Sequence, residues 1–483
     1  MKIEIKDKSI MALREALQGS SLEPYCYLVG GSVRDLLLGR EVTDYDICVE
    51  LPQGDQQLAE YLYANRICSS PQKFKKHGLI TCRINKHTLE MSQTSKNHQR
   101  GATASEELFG DLLEDALSRD FTINSLYLKL SDLRILDPTG RGLEDLAGLK
   151  LVSIKTPLLC FTDDPLRMMR ALRFCVNLDM QIAPDMMQCI TNNASLIQQI
   201  PKERVSDEFK RLLGEHRAAS LQKLMKSGLM QALSPCLHCS LERLEQDMGI
   251  GESLFNDPLA VGDYLSTIML LFWLGLRYSA SSVNAPSHLD DACRKVKSSL
   301  AALEGVLILS NREKSLLTEI GIAYLYLLAK SSKPFCDLPD LAYLSNILGP
   351  QLTHLSQMLQ WGKISKHHET NVDEIQEEIS LASYASISSI FPYDGKHIIP
   401  LLTKQEYKYT GLILLLLQLL WLQNNGLNSA TLEKQIKALM ANPNLSEARK
   451  LYCSAPSKTA ILWHFAAFKR YQLIDQTSYL EHK

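Results

Sequence analysis

The sequence predicts an α+β head, a mixed sheet with helices, followed by an all-α remainder. Strand-like and helical stretches alternate from residue 1 to about residue 152, and almost every periodic stretch after Asp164 has helical spacing. Pro201 marks the start of a further helix within that second part. We therefore predict a head at 1–152, a neck at 153–215 and a helical body and tail at 216–483.

The first element of interest is an apolar strand that runs into a glycine pair. Residues 27–29 form the strand, and Gly30 and Gly31 follow it directly. Glycine lets the backbone approach a ligand closely, and the amides at the start of the next helix can receive phosphate oxygens. Ser32 is a candidate helix cap or phosphate contact, and Gly39 is a stop signal for the helix. This arrangement predicts a helix whose N-terminus points at a phosphate.

The second element is a strand with two aspartates one residue apart. Alternate side chains of residues 44–49 share one face of a sheet, so Asp44 and Asp46 project the same way. Paired carboxylate oxygens beside a triphosphate suit Mg²⁺. A glycine pair alone is common at turns, and such an acidic pair alone is common at solvated strand ends. Together, in this order, they indicate a nucleoside triphosphate held on Mg²⁺.

A hairpin is predicted beside this acidic strand. Residues 78–84 and 88–94 read as its two arms, with residues 85–87 as the turn. On the second arm Leu89 and Met91 point one way and Glu90 points the other way, away from the core face. Glu90 is therefore either a site carboxylate or a solvent-facing strand glutamate.

Composition restricts the class of protein. The 52 basic and 54 acidic side chains give a formal charge of −2, so a nucleic-acid partner would need a local basic patch. The longest apolar run, 411–422, is too short for a bilayer span and contains Gln418. The N-terminus lacks the features of a signal or transit peptide. We expect a cytoplasmic protein with no membrane association and no obligate protein partner.

The twelve cysteines show no disulfide-like rhythm. Cys236, His238 and Cys239 have zinc-like local spacing, but structural zinc usually needs four ligands and no second pair lies at a recognisable distance. The pattern favours a turn with incidental thiols over a metal site.

Five ordered motifs carry a family resemblance. The run GGSVRDLLLG followed by TDYD resembles the nucleotidyltransferase motif of class II CCA-adding enzymes and bacterial poly(A) polymerases. The four further motifs are SRDFTINSL at 118–126, LDPTGRGLEDLAGLKL at 136–151, DDPLRMMRALRF at 163–174 and IPKERVSDEFKRLL at 200–213. The resemblance implies a DNA polymerase β-like palm in the head. It also implies transfer of a nucleotide to an RNA 3′ end.

The resemblance implies catalytic roles for three carboxylates. Asp44 and Asp46 match the metal-binding pair, and Glu90 is the best local match to the family's third carboxylate. Transfer from a triphosphate to a 3′ hydroxyl can use two metal ions about 4 Å apart. Arg34 and Arg119 are the candidates to balance the phosphate charge, since guanidinium forks match phosphate oxygens.

Other polar residues of these motifs are candidate nucleotide contacts. Asp120 and Asn124 could reach the ribose hydroxyls, or instead serve as a helix-start aspartate and a cap. In the family the Asp and Arg corresponding to Asp164 and Arg167 read the incoming base. Asp164 precedes a proline, so helix capping is the alternative.

An arginine at every third position forms a predicted cationic stripe on the helix that follows Asp164. Arg167, Arg170 and Arg173 make up this stripe, which capping does not explain. Two positions depart from the family pattern: Ser118 replaces the first arginine of the usual RRD, and Asp163 replaces a glutamate. Glu203 and Arg204, in the last motif, read as structural.

The leading functional hypothesis is a tRNA nucleotidyltransferase that builds or repairs the 3′ CCA end from CTP and ATP with Mg²⁺. The alternatives are a bacterial poly(A) polymerase, a variant that adds only CC or only A, and an inactive RNA-binding relative. The loop at 97–107 is the least family-like part of the head, and the helices after the neck are expected to contact tRNA.

Overall fold

The computed structural model describes most of the chain. The described residues are 7–42, 44–73, 79–96, 109–214, 216–248, 264–278, 288–330, 395–423, 429–455 and 459–464, with 354, 355, 358, 361 and 457. The predicted loop at 97–107 lies outside them. The chain divides into two compact units, Met1–Ala232 and Leu233–Lys483. The predicted head and neck both fall in the first unit, and the three domain boundaries remain a prediction.

A mixed sheet forms the centre of the first unit. Its strands are β1 Cys26–Val29, β2 Asp44–Val49, β3 Gln72–Lys73, β4 Ile80–Ile84, β5 His87–Gln93, β6 Tyr127–Lys129 and β7 Arg134–Leu136. The spatial order is β3-β4-β5-β2-β1-β6-β7. Only β2 and β5 pair in parallel, and every other neighbouring pair is antiparallel.

Strand β5 has the two-residue burial period of a sheet with one open face. His87, Leu89 and Met91 are buried, whereas the residues between them are half-buried. The predicted hairpin of β4 and β5 is confirmed, and it lies beside β2 as expected. The turn prediction was wrong by one residue. His87 is the first residue of β5, because its buried ring packs on Tyr45 with the ring centroids 5.0 Å apart.

Helices pack on the sheet and continue along the chain after its last strand. They are α1 Lys8–Leu17, α2 Gly31–Leu37, α3 Gly54–Ala64, α4 Leu112–Ser118, α5 Gly142–Ala147, α6 Pro157–Asp163, α7 Leu166–Asn177, α8 Pro184–Asn192, α9 Lys202–Leu212, α10 Arg217–Lys226 and α11 Leu229–Leu233. A short 3₁₀ helix, Thr122–Asn124, links α4 to β6, and β8 (Lys150–Leu151) pairs in parallel with β9 (Gln181–Ile182). A β-carbon at Gly142 would lie 2.6 Å from the Thr122 carbonyl oxygen, so glycine lets α5 contact that 3₁₀ helix.

The described residues of the second unit form helices joined by turns, with no strand among them. Its helices are α12 Pro235–Met248, α13 Tyr264–Tyr278, α14 Leu289–Glu304, α15 Asn311–Lys330, α16 Gly395–Ile398, α17 Thr410–Gln423, α18 Ser429–Ala441 and α19 Leu445–Ser454. Trp273 is fully buried, and its indole N–H donates to the Tyr324 hydroxyl at 3.0 Å. The apolar run at 411–422 lies in α17, as predicted.

The structure confirms the α+β head followed by helices. Among the residues that the structure describes, no helix combines the length and hydropathy needed to cross a membrane.

Candidate active site

Three carboxylates lie on one face of the central sheet. Asp44 is exposed and Asp46 half-buried on β2, while Tyr45 between them is buried on the other face. Glu90 of β5 is the direct partner of Asp46 in the parallel ladder. Paired residues of neighbouring strands point to the same side of a sheet, so all three carboxylates share one face. A set of hard oxygen donors of this kind fits Mg²⁺.

Ser32 holds the acidic strand in place. Its hydroxyl oxygen accepts the Asp46 N–H at 2.9 Å, and the hydroxyl donates to the Asp44 carbonyl oxygen at 3.2 Å. Ser32 lies inside α2 and is 2% exposed, so the expectation of a helix cap was wrong. The residue joins the start of α2 to the backbone on either side of Tyr45.

Gly30 lies at the centre of the candidate site. Its φ of +69° is a conformation that side chains with a β-carbon rarely adopt. A β-carbon at Gly30 would lie 3.4 Å from Arg119 Nη1 and 3.6 Å from Asp46 Oδ2, and one at Gly31 would lie 3.6 Å from Arg34 Nη2. The glycine pair therefore brings backbone, cation and carboxylate together, and the approach of this backbone to a phosphate stays a prediction.

We expect Gly30→Ala to reduce stability and also to impair activity. The positive φ costs about 1–3 kcal/mol for alanine, and the added methyl group would lie in contact with Arg119 Nη1 and Asp46 Oδ2, where a ligand would bind. Gly39→Ala is the matched control, because Gly39 has the same φ of +69° but nothing within 4 Å of the added carbon. Urea unfolding should show similar losses for both variants, whereas only Gly30→Ala should lower the rate of nucleotide incorporation. Equal activity of the two variants would contradict a ligand-facing role for Gly30.

A buried acidic side chain fixes Arg119. Asp115 of α4 is fully buried, and its Oδ2 accepts the Arg119 Nε–H at 3.0 Å and the Tyr127 hydroxyl. Its Oδ1 accepts the Ser95 N–H at 2.9 Å. Burial alone would lower the pKa of Arg119, but Asp115 holds that pKa well above its ordinary value. Arg119 is therefore a permanent cation whose Nη1 faces Gly30.

A chain of hydrogen bonds links α2, the helix that begins at Gly31, to α7. Arg34 Nη1 donates to Asn124 Oδ1 at 2.8 Å, and Asn124 Nδ2 donates to Asp120 Oδ1 at 3.0 Å. Asp120 Oδ2 accepts two bonds from Arg170 of α7, at 2.8 and 2.6 Å. Arg34 also makes two bonds with Asp35. Asp120 Oδ1 also accepts the Phe121 N–H at 2.8 Å directly before the 3₁₀ helix, so Asp120 combines a helix-start position with its bonds to side chains. Asn124 is the last residue of that 3₁₀ helix, and its amide bonds the side chains of Arg34 and Asp120.

The electrostatics of this chain keep Asp120 ionised. Burial raises the pKa of Asp120, but the Arg170 charge, the Asn124 amide and the Arg167 charge together hold it well below its ordinary value. A carboxylate with a depressed pKa stays charged through the neutral range. Asp120 thus ties α7 to the head with a charge-assisted pair.

Asp164 and Arg167 lie at the start of α7, where the family motif places them. Asp164 Oδ1 accepts the Leu166 N–H at 3.2 Å, and its Oδ2 accepts from Arg204 Nη2 of α9 at 2.7 Å. Arg167 Nη2 donates to the Ser118 carbonyl oxygen at 3.1 Å. The capping bond considered for Asp164 is present, and the ion pair with Arg204 exists beside it.

The arginines of the predicted stripe contact two different parts of the protein, the head and α9. Arg167 and Arg170 face the head, whereas Arg173 donates to Glu208 of α9 at 2.6 Å. The Phe174 ring, predicted as core, is buried with the Arg173 guanidinium 4.4 Å from its centroid. Arg167 is buried and Arg170 and Arg173 are half-buried, and each of the three donates to a partner, so their side chains are held within the packing of α7.

The two departures from the family pattern have local partners. The Ser118 hydroxyl donates to the Asp115 carbonyl oxygen at 2.7 Å at the end of α4. Asp163 accepts from Lys155 Nζ at 2.6 Å on the surface.

Sequence reasoning missed the residues that support the site. Asp115, Tyr127 and Glu208 were not singled out, and Arg204 was read only as structural. A signal existed for Asp115, which precedes Arg119 by four residues, the spacing of an ion pair on one helix face. Glu208 and Arg204 lie more than thirty residues from their partners, so only the packing of α9 on α7 reveals them.

Comparison with known proteins shows two matching family models and several relatives. A family model described as the poly A polymerase head domain matches residues 26–151, and one described as a probable RNA- and SrmB-binding site of polymerase A matches 179–241. Poly(A) polymerase I of Escherichia coli O6:H1 is 32% identical over 325 residues, covering 61% of this chain and 69% of that protein. Poly(A) polymerase I of Salmonella typhi is 33% identical, over 49% of this chain and 52% of its own length.

A CCA-adding enzyme of Lactococcus lactis is 32% identical, over 48% of this chain and 58% of its own length. The chain thus spans about half the length of several curated relatives that it matches. Among solved structures, the complex of a CCA-adding enzyme with ATP has a TM-score of 0.60 at 17% identity, covering 90% of this chain and 96% of that one. The Thermotoga maritima CCA-adding enzyme complexed with tRNA has a TM-score of 0.56 at 17% identity, with the same coverage. At these identities the structures establish the fold alone.

Fold and motifs define the chain as a nucleotidyltransferase by class. More narrowly, it belongs to the family that comprises the bacterial poly(A) polymerases and the CCA-adding enzymes.

Proposed function

We propose that this protein is a template-independent tRNA nucleotidyltransferase, which adds or repairs the 3′-terminal CCA from CTP and ATP and releases pyrophosphate. The observation that carries the proposal is the shared sheet face of Asp44, Asp46 and Glu90 beside Gly30 and Arg119. Solved structures of the same fold include CCA-adding enzymes with ATP and with CTP, which supports this choice of substrates.

The residues at the sheet face suit in-line transfer of a nucleotide. Asp44 and Asp46, with Glu90 beside them, would hold Mg²⁺. Bound there, Mg²⁺ would supply charge stabilisation for the attacking 3′ oxygen and the departing pyrophosphate. Arg119 Nη1 reaches the glycine backbone where phosphate oxygens would lie, and its charge balances theirs. Arg34 donates to Asp35 and Asn124. We therefore assign it a positioning role, which is to hold α2 in place.

The start of α7 would select the base. Arg167 offers donors and Asp164 offers acceptors, and together they can pair with the Watson–Crick edge of cytosine or adenine. G and U present the opposite pattern of donors and acceptors. Asp120 and Asn124 would meet the ribose, and Arg170 and Arg173 hold α7 on the head and on α9.

A poly(A) polymerase is the second candidate. The E. coli poly(A) polymerase I aligns over 69% of its own length, which is more than the 58% of the Lactococcus CCA-adding enzyme. Both activities use the same carboxylate chemistry, so product length and RNA choice distinguish them.

One assay separates these candidates. Purified protein with Mg²⁺ is incubated with tRNAs ending in the discriminator base, C or CC, with CTP and ATP supplied separately and together. We expect ordered addition that stops after CCA. A long ladder of added A residues on unrelated RNA would instead identify a poly(A) polymerase. Addition that stops after CC, or addition of the final A alone, would identify an enzyme with only part of the CCA activity. No incorporation would favour an inactive relative.

We expect Arg204→Met to weaken nucleotide selection. The variant removes the cation that holds Asp164 Oδ2, so the carboxylate is no longer fixed for base pairing. The ratio of kcat/KM for CTP to that for UTP should fall by about tenfold or more, which is about 1.4 kcal/mol of discrimination. Arg211→Met is the control, because Arg211 lies on the same helix and is exposed. An unchanged ratio in Arg204→Met would show that the pair with Arg204 does not position Asp164.

A further inference from the structure

Helix α12 carries three different metal-binding side chains on one turn. The ligand atoms of His238, Cys239 and Glu242 all lie within 4.8 Å of one another. His238 Nδ1 is 3.5 Å from Glu242 Oε2, four residues further along the helix. His238 and Glu242 are four residues apart and Cys239 and Glu242 are three apart, and these are the spacings that make side chains neighbours on one helix face. The turn expected for this segment is wrong, since these residues lie within a regular helix.

The burial of the three residues suits a metal site in which one ligand is fixed by its neighbours and the others are accessible to an ion from solvent. The His238 side chain is only 12% exposed, so neighbouring atoms restrict its ring. Glu242 is 50% exposed and Cys239 is exposed, so an ion has access from solvent. Cys236, which the sequence grouped with His238 and Cys239, is exposed but does not belong to the cluster.

The donor chemistry identifies the class of ion. An imidazole nitrogen, a thiolate sulfur and a carboxylate oxygen form a mixed set that zinc accepts, whereas Mg²⁺ prefers oxygen alone. We propose that His238, Cys239 and Glu242 bind one zinc-class divalent cation, through residues that take no part in the carboxylate chemistry of Asp44 and Asp46. Three protein ligands leave a fourth position for water or another donor.

Another explanation of the cluster is a surface pair of His238 and Glu242 with an unrelated thiol beside it. Such a pair needs no metal and makes no use of Cys239. Ligation by the Cys239 sulfur therefore distinguishes the two explanations.

Cobalt is the probe for this ligation. The full-length protein is stripped of metals with a chelator and titrated with Co²⁺, and the thiolate-to-cobalt absorption band is recorded. We expect the band to saturate at one equivalent, to disappear in Cys239→Ser, and to persist in Cys236→Ser, the matched control one turn earlier. Zn²⁺ should displace Co²⁺ and remove the band. The proposal is overturned if no band forms, or if Cys239→Ser leaves it unchanged.

A second measurement needs no variant. Thiols of the native, full-length protein are alkylated with iodoacetamide with and without Zn²⁺, and mass spectrometry locates the label. Zn²⁺ should slow labelling of Cys239 at least tenfold while Cys236 and Cys453, both exposed, react at unchanged rates. Equal labelling of Cys239 with and without Zn²⁺ would overturn the proposal. Neither measurement uses nucleotide transfer, so the result is independent of the proposed function.

Discussion

Replacing both Asp44 and Asp46 with alanine is expected to abolish nucleotide incorporation while the protein remains folded. The double variant removes the two β2 carboxylates that would hold Mg²⁺ beside Gly30 and Arg119. Loss of about three orders of magnitude in rate corresponds to about 4 kcal/mol of transition-state stabilisation. Asp44 is exposed and Asp46 is half-buried, so their removal leaves the buried face of the sheet intact. Incorporation of labelled CTP and ATP on tRNA measures the rate, and circular dichroism measures the fold.

Two further variants sharpen this experiment. Glu41→Ala removes an exposed carboxylate that precedes β2. Glu41 pairs with Lys86, which is also exposed, so this variant should leave the rate of nucleotide incorporation unchanged. Glu90→Gln removes one charge from the shared face but keeps the shape of the side chain, so a partial loss indicates that Glu90 assists the aspartates. Undiminished incorporation by the double variant would refute the proposed role of the aspartates.

Asp115→Ala is expected to cause the largest loss of stability of any single substitution considered. Asp115 is fully buried and bonds the side chains of Arg119 and Tyr127 and the backbone of Ser95. Breaking a buried ion pair from one side costs about 3–5 kcal/mol, because the remaining charge is left buried without compensation. The midpoint of urea unfolding should fall accordingly. Nucleotide incorporation should fall as well, because Arg119 Nη1 is no longer held beside Gly30.

Two comparisons isolate the buried pair. Asp132→Ala breaks a surface pair with Arg134, whose side chain is 53% exposed, and should cost less than about 1 kcal/mol. Tyr127→Phe keeps the Asp115–Arg119 pair and removes the two hydrogen bonds of the hydroxyl, which donates to Asp115 and accepts from Arg119 Nε, so a cost of about 1–2 kcal/mol is expected. Similar unfolding midpoints for Asp115→Ala and Asp132→Ala would contradict the structural role assigned to Asp115.

Much of the site was predictable because its signals are local. The glycine pair after an apolar strand indicated a special backbone conformation, and Gly30 does have a positive φ beside Arg119 and Asp46. The two-residue period of a strand placed Asp44 and Asp46 on one face. Helical spacing likewise predicted that the chain after the head is helical, and the described residues of the second unit agree.

Other features depend on residues far apart in the chain. That Glu90 lies directly beside Asp46 follows from the parallel pairing of β2 with β5, which no local pattern specifies. The partners of the arginines were equally unpredictable from local sequence. Arg170 pairs with Asp120, fifty residues away, and Arg173 pairs with Glu208. Spacing showed that these cations lie on one helix, but their partners depend on which elements pack against it.

The sequence by itself determined the class of chemistry, because the strand period, the glycine pair and the acidic pair are properties of short segments. The tertiary structure decided which side chains support that chemistry. The pair of Arg204 with Asp164 and the chain from Arg34 to Arg170 join polar side chains of separate elements, whereas Asp115 and Arg119 lie one helical turn apart and are buried together by the packing around them. A buried charge must find a counter-charge within a few ångströms, and the fold alone determines which residue stands there.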